Sequence, residues 1–117
     1  MINKACLFVL LLAVSMSSSA NSLRIFTLGA DDWAQPRSGT VITQFDAVRS
    51  AIDYWGKGVD SAILIRYPGE DSGEIWATEL RDWLISLGIP SDYILLMPGS
   101  QVADEIKLIV GRRDELK

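Results

Sequence analysis

Behind an unbroken apolar run from Ala5 to Val14, hydrophobic residues recur in six segments of two kinds, one alternating or continuous and the other repeating every three to four positions. Leu23 to Leu28 (LRIFTL) alternates apolar and polar side chains, the pattern of an edge or half-buried strand. Ala62 to Tyr67 (AILIRY) and Tyr93 to Met97 (YILLM) are continuous apolar runs closed by Pro68-Gly69 and Pro98-Gly99. Such runs predict strands buried on at least one face, and the first should lie centrally in the sheet. Ile106 to Val110 (IKLIV) predicts a further strand after the polar loop Ser100 to Glu105.

The remaining two segments have helical spacing. Gly29 to Gly39 reads as loop, after which Thr43 is placed to cap a helix carrying Phe45, Val48, Ile52 and Trp55 on one stripe, stopped by Gly56 and Gly58. The second helix is the clearer one. Ser72 can cap it, Trp76, Leu80, Trp83, Leu84 and Leu87 fall on one face, and Gly88-Ile89-Pro90 predicts a Schellman-type stop with Ile89 folded back onto the last turn. Together the segments predict an α/β fold in the order β-α-β-α-β-β. Crossover geometry makes this a two-layer sandwich, a mostly parallel sheet with helices packed on it. The last strand can pair antiparallel with its neighbour.

Composition adds a destination. Lys4, the apolar run of about ten residues and the small residues Ser18-Ser19-Ala20 follow the grammar of a cleaved signal peptide. The run is shorter than the roughly twenty residues that span a bilayer. The reading is therefore cleavage after Ala20 and a single small periplasmic domain from 21 to 117, with no membrane span once the signal is gone. Cys6 is the chain's one cysteine and there is no histidine. The exported part thus lacks thiol nucleophiles, disulfides, Ser-His-Asp relays and ordinary zinc sites. The whole chain carries a net charge of −4, and without Lys4 its basic residues number ten against fifteen acidic. Apart from Arg112-Arg113 the basic residues are scattered singly, which argues against nucleic acid as a partner.

The strand Ile63 to Arg66, the helix ending Leu84-Ile85-Ser86-Leu87-Gly88-Ile89-Pro90 and the run Tyr93 to Met97 closed by Gly99 resemble the second half of OmpA-like peptidoglycan-associating domains. The resemblance covers about forty residues. It implies a periplasmic fold and, as partner, peptidoglycan, whose diaminopimelate side chain the family clamps between a loop aspartate and a helix arginine. On this chain those roles fall to Asp71 and Arg81. The family's glycine-histidine-threonine-aspartate sequence, its asparagine and its leucine-serine segment are absent here, and the interval between acid and arginine is several residues shorter.

Other residues have chemistry to offer. Arg66 sits in a strand, where a charge is costly unless it emerges at the end or is paired. Because α/β sheets bind ligands at strand ends, Arg66, Asp71 and Arg37 form a candidate polar cluster. Trp33 lies off the predicted core stripes, and can either contact a partner or cover one end of the sheet. The loop Gly69 to Gly73 precedes a helix, but Glu70, Asp71 and Glu74 already satisfy its dipole and repel phosphate. Its carboxylates do not follow the twelve-residue calcium loop either, so no metal or cofactor is expected. No pair of residues forms a recognisable catalytic motif. The expectation is an exported, non-enzymatic envelope module that binds the cell wall or an envelope protein. The alternative is an accessory subunit of a secretion, pilus or conjugation apparatus with no ligand of its own.

Overall fold

The computed structural model describes residues 23–116; the segment read as a signal peptide and the expected cleavage after Ala20 lie outside them. Four strands form one sheet: β1 (Arg24–Gly29), β2 (Ser61–Tyr67), β3 (Ile94–Pro98) and β4 (Glu105–Arg112), in the spatial order β1-β4-β2-β3. Strand β2 is internal, as its apolar run predicts, and β1 is an edge.

The sheet is mixed rather than mostly parallel. Only β2 and β3 pair parallel, while β4 runs antiparallel to both β1 and β2. The last strand does not pair with its sequence neighbour β3. It fills the gap between β1 and β2, where it meets two partners instead of extending an edge.

Between β1 and β2 the chain makes three helical segments instead of one: α1 (Ala30–Trp33), α2 (Gly39–Gln44) and α3 (Asp46–Lys57). The single capped helix expected from Thr43 gives way because Ser38 starts helix α2, its hydroxyl accepting from the Val41 N–H at 3.2 Å. The chain then breaks at Phe45 (φ −71°, ψ 122°), which buries Phe45 and Ile42. Thr43 is therefore not a cap, and its hydroxyl donates to the carbonyls of Gly39 and Thr40. Of the predicted stripe, Val48 is fully buried and Ile52 and Trp55 partly so.

Helix α4 (Asp71–Ser86) follows the sequence closely at its far end. The Ile89 N–H bonds the Leu84 carbonyl at 3.1 Å and the Gly88 N–H bonds Ile85 at 3.0 Å, which is the Schellman pair. Gly88 has φ +112°, a conformation side chains resist, and Ile89 returns to the core at 1% exposure. At the other end Ser72 is not the cap. Glu70 holds that position without a side-chain bond, and a Cβ on Gly73 would run into the Pro68 carbonyl, so the loop can turn tightly onto the helix only with glycine there.

All four helices pack on one face of the sheet. Leu28, Ile63, Ile65, Ile106, Leu108 and Val110 from the strands meet Trp33, Ile42, Val48, Ala51, Leu80 and Leu84 from the helices. The opposite face carries a smaller cluster, Ala62 and Leu64 buried against Leu116, with Leu95, Met97 and Ile109 around them. A short 3-10 turn at Arg113–Glu115 brings Leu116 there. No helix covers the rest of that face among the described residues.

Candidate functional site

Of the residues nominated by sequence, Arg37 is the most fully engaged. Its guanidinium donates to both carboxylate oxygens of Glu79 at 2.6 and 3.0 Å, donates to the Trp33 carbonyl at 2.6 Å and lies 4.8 Å from the centre of the Trp33 ring. Glu79 also accepts from the Trp83 indole at 3.4 Å. The bidentate bond from Arg37 holds the Glu79 carboxyl below its ordinary pKa, against the opposing effect of burial and with further help from Trp83. Arg37 thus fastens the loop after α1 to helix α4.

Trp33 is 7% exposed and packs against Phe45 and Trp76, with ring centres 6.2 and 6.1 Å apart. Of its two sequence readings, this burial matches covering the end of the sheet, since the ring is not presented to a partner. Asp71 and Arg81 share helix α4 but stand ten residues apart, about 15 Å of rise, and no bond joins them. The nearest acid to the Arg81 Nε is its neighbour Asp82, at 3.8 Å. Nor do Arg37, Asp71 and Arg66 gather into one cluster. Arg66 projects from the face of the sheet opposite the helices, whereas Arg37 is bound to the helix layer.

A small cleft lies where β1, β2 and β4 meet the loops at one end of the sheet. Arg37, Pro68, Ser72, Trp76 and Asp104 line its walls. The Trp76 indole N–H is buried without an acceptor. Among the described residues no three acidic side chains are placed to hold a metal ion, and no helix is long and apolar enough to cross a membrane.

The open face of the sheet has more order than its sequence suggests. Pairing aligns Ile25 with Ile109, Ile109 with Leu64, and Leu64 with Leu95, an apolar row that crosses all four strands. Beside it a second row runs Thr27, Lys107, Arg66, Met97. Neighbouring strands are about 4.8 Å apart and the rows about 7 Å, so each row is about 14 Å long. Leu64 is sunk to 4% exposure, while Ile25 at the row's end is 59% exposed.

The second row places two cations directly opposite each other, Arg66 on β2 and Lys107 on β4. Like charges in that position repel. Lys107 reaches back along its own strand to Glu105 at 3.5 Å. Arg66 has no oxygen acceptor among the described residues: its Nη2 meets the Met97 sulfur at 3.3 Å, a weak acceptor, and its Nε is buried without a partner. The sequence signal for this surface was the alternation of Lys107 and Ile109 with the core positions of β4. Which strands would lie beside them was not readable.

Comparison with known proteins finds no family model that matches this chain and no similar curated protein.

Proposed function

We propose that the chain is an exported, non-enzymatic module of the cell envelope, with an OmpA-like fold, that works by binding another envelope protein through the open face of its sheet. The observation that carries this reading is Arg66 on the helix-free face of the sheet, its Nε buried without an acceptor and Lys107 directly opposite, with Ile25 exposed at the β1 end of the same face. The unit from β2 through α4 to β3, with its leucine-glycine helix stop, supports the fold assignment, since it has the parallel strand-helix-strand form that the resemblance implies.

Between the two partners considered, cell wall and protein, the geometry favours protein. A diaminopimelate clamp needs its carboxylate and guanidinium within reach of one small head group. Asp71 and Arg81 are about 15 Å apart along one helix, and Arg37 is already committed to Glu79. The same surface would serve an accessory subunit of a larger envelope apparatus.

The test combines two measurements on the purified protein and an Ile25→Asp variant. Affinity isolation from envelope extracts should retain a discrete protein with the wild type and lose it with Ile25→Asp, while isolated peptidoglycan should leave both in the supernatant. Sedimentation with peptidoglycan that disappears in an Asp71→Ala, Arg81→Ala double variant would overturn the protein-binding reading in favour of the cell wall.

A further inference from the structure

Resting on that reading of the open face, we propose that Thr27, Lys107 and Arg66 form a carboxylate-binding site, filled by an acidic side chain or the C-terminal carboxylate of the partner protein. The three residues come from neighbouring strands and stand in register, Thr27 on β1 opposite Lys107 on β4, and Lys107 opposite Arg66 on β2. Adjacent strands are about 4.8 Å apart, so a hydroxyl, an ammonium and a guanidinium are rooted within about 10 Å of one another. One small anion can reach all three.

Each of these groups keeps unused donors. Arg66 makes one hydrogen bond among the described residues, from Nη2 to the Met97 sulfur at 3.3 Å, and its Nε is buried without an acceptor. Thr27 is exposed, and its hydroxyl bonds to no described residue. Lys107 meets Glu105 at 3.5 Å, and both side chains of that pair keep about a third of their surface in water. No other carboxylate of the described residues bonds either cation. Asp114, on the turn that carries Leu116 over the middle of this face, is already bound to Arg112 at 3.0 Å. Like charges directly opposite each other repel, and a charged group set into a strand is costly without an oxygen partner. An incoming anion removes both penalties.

The charge count selects a carboxylate. Two cations and Glu105 leave the cluster with one positive charge, which one carboxylate neutralises. Its planar pair of oxygens also matches the planar guanidinium in the strong, charge-assisted form. A phosphate dianion would leave excess negative charge beside Glu105, on a chain of net charge −4. Insertion of a single carboxylate asks for no broad apolar surface, and the face offers none, since Leu64 at its centre is 4% exposed beneath Leu116.

The probes are N-acetyl-glutamate α-amide, which carries a side-chain carboxylate, N-acetyl-alanyl-alanine, which carries a terminal one, the uncharged amide of each, and inorganic phosphate. Each is titrated into the purified protein at low salt, and binding is read from the amide signals of Thr27, Arg66 and Lys107 and from the Arg66 Nε–H. At least one carboxylate should shift these signals saturably and bind about fivefold or more tighter than its amide. Arg66→Gln and Lys107→Gln should each weaken that binding by about fivefold or more, while the signals of α4 stay in place. The tighter of the two carboxylates identifies the source as side chain or chain end. No saturable shift with either, equal binding of the amides, or binding that both variants retain would overturn the carboxylate site. The protein-binding reading is tested separately, by retention of a discrete protein from envelope extracts and its loss with Ile25→Asp. Phosphate binding tighter than both carboxylates would overturn the inference in favour of a phosphate ligand, and self-association that Arg66→Gln abolishes would overturn it in favour of a second copy.

Discussion

Arg37 and Arg66 began as similar candidates and end in opposite situations. Arg37 is bound twice to Glu79, once to the Trp33 carbonyl and stacked on the Trp33 ring, so it is a fastening between a loop and a helix. Both side chains of the pair keep about a third of their surface in water, which limits the bond's worth to about 1 kcal/mol. Glu79→Gln should lower stability by about that amount at neutral pH, read by urea unfolding. The folded Glu79 pKa lies below its ordinary 4.5, so the contribution is complete above that value and fades as pH falls through the lower folded one. Wild type and Glu79→Gln should therefore converge in stability in acid; a gap that widens there would contradict the assignment. Arg66 is the reverse case. Replacing it with Met should raise the free protein's stability by about 0.5 to 1 kcal/mol, because the repulsion from Lys107 and the unsatisfied Nε both disappear. A loss of stability instead would mean that Arg66 has a structural role, and would remove the argument for an external acceptor.

Elements set how far the sequence could be read. Helix α4 was legible almost to the residue at its end, because the apolar spacing, Gly88 and Ile89 each act locally and agree. Gly88→Ala should cost at least about 1 kcal/mol through its positive φ, and Leu84→Ala about 2 to 5 kcal/mol through the cavity left at a fully buried site, both measurable as shifts in the urea midpoint. If Gly88→Ala proves neutral, the Schellman stop is not what ends the helix. The first helical region was less legible. A stripe through Phe45, Val48, Ile52 and Trp55 is compatible with one helix or with two that share a buried hinge, and only the competition between Ser38 and Thr43 as caps decides. Ser38 prevails because a helix begun there buries Ile42 and Phe45 together. The place of β4 was the least legible of all. Its alternation marks a strand, but insertion between β1 and β2 is a long-range outcome that no local pattern carries.

At the scale of the whole molecule, the chain stacks four helices on one face of a mixed sheet and covers the middle of the other face with Leu116, leaving Ile25 exposed at its edge and the cations Arg66 and Lys107 side by side. The residues that the sequence nominates lie in loops, on a helix and near a strand end, where small ligands bind. Yet register is what assembles this surface: Ile25, Ile109, Leu64 and Leu95 come from four separate segments and have nothing in common until the strands pair. The nominated pair Asp71 and Arg81 failed to meet for an equally simple reason, since ten residues of one straight helix keep them apart. Ile25→Asp should change stability by no more than about 0.5 kcal/mol, its side chain being mostly in water already, while disrupting recognition.

The most direct measurement is site-specific photocrosslinking in the protein's own cells, with the reactive side chain placed in turn at Thr27 on the open face and at Thr78 on the outer face of α4. The account predicts a discrete protein adduct from Thr27 that Arg66→Gln weakens, and none from Thr78. Adducts from Thr78 alone would contradict it.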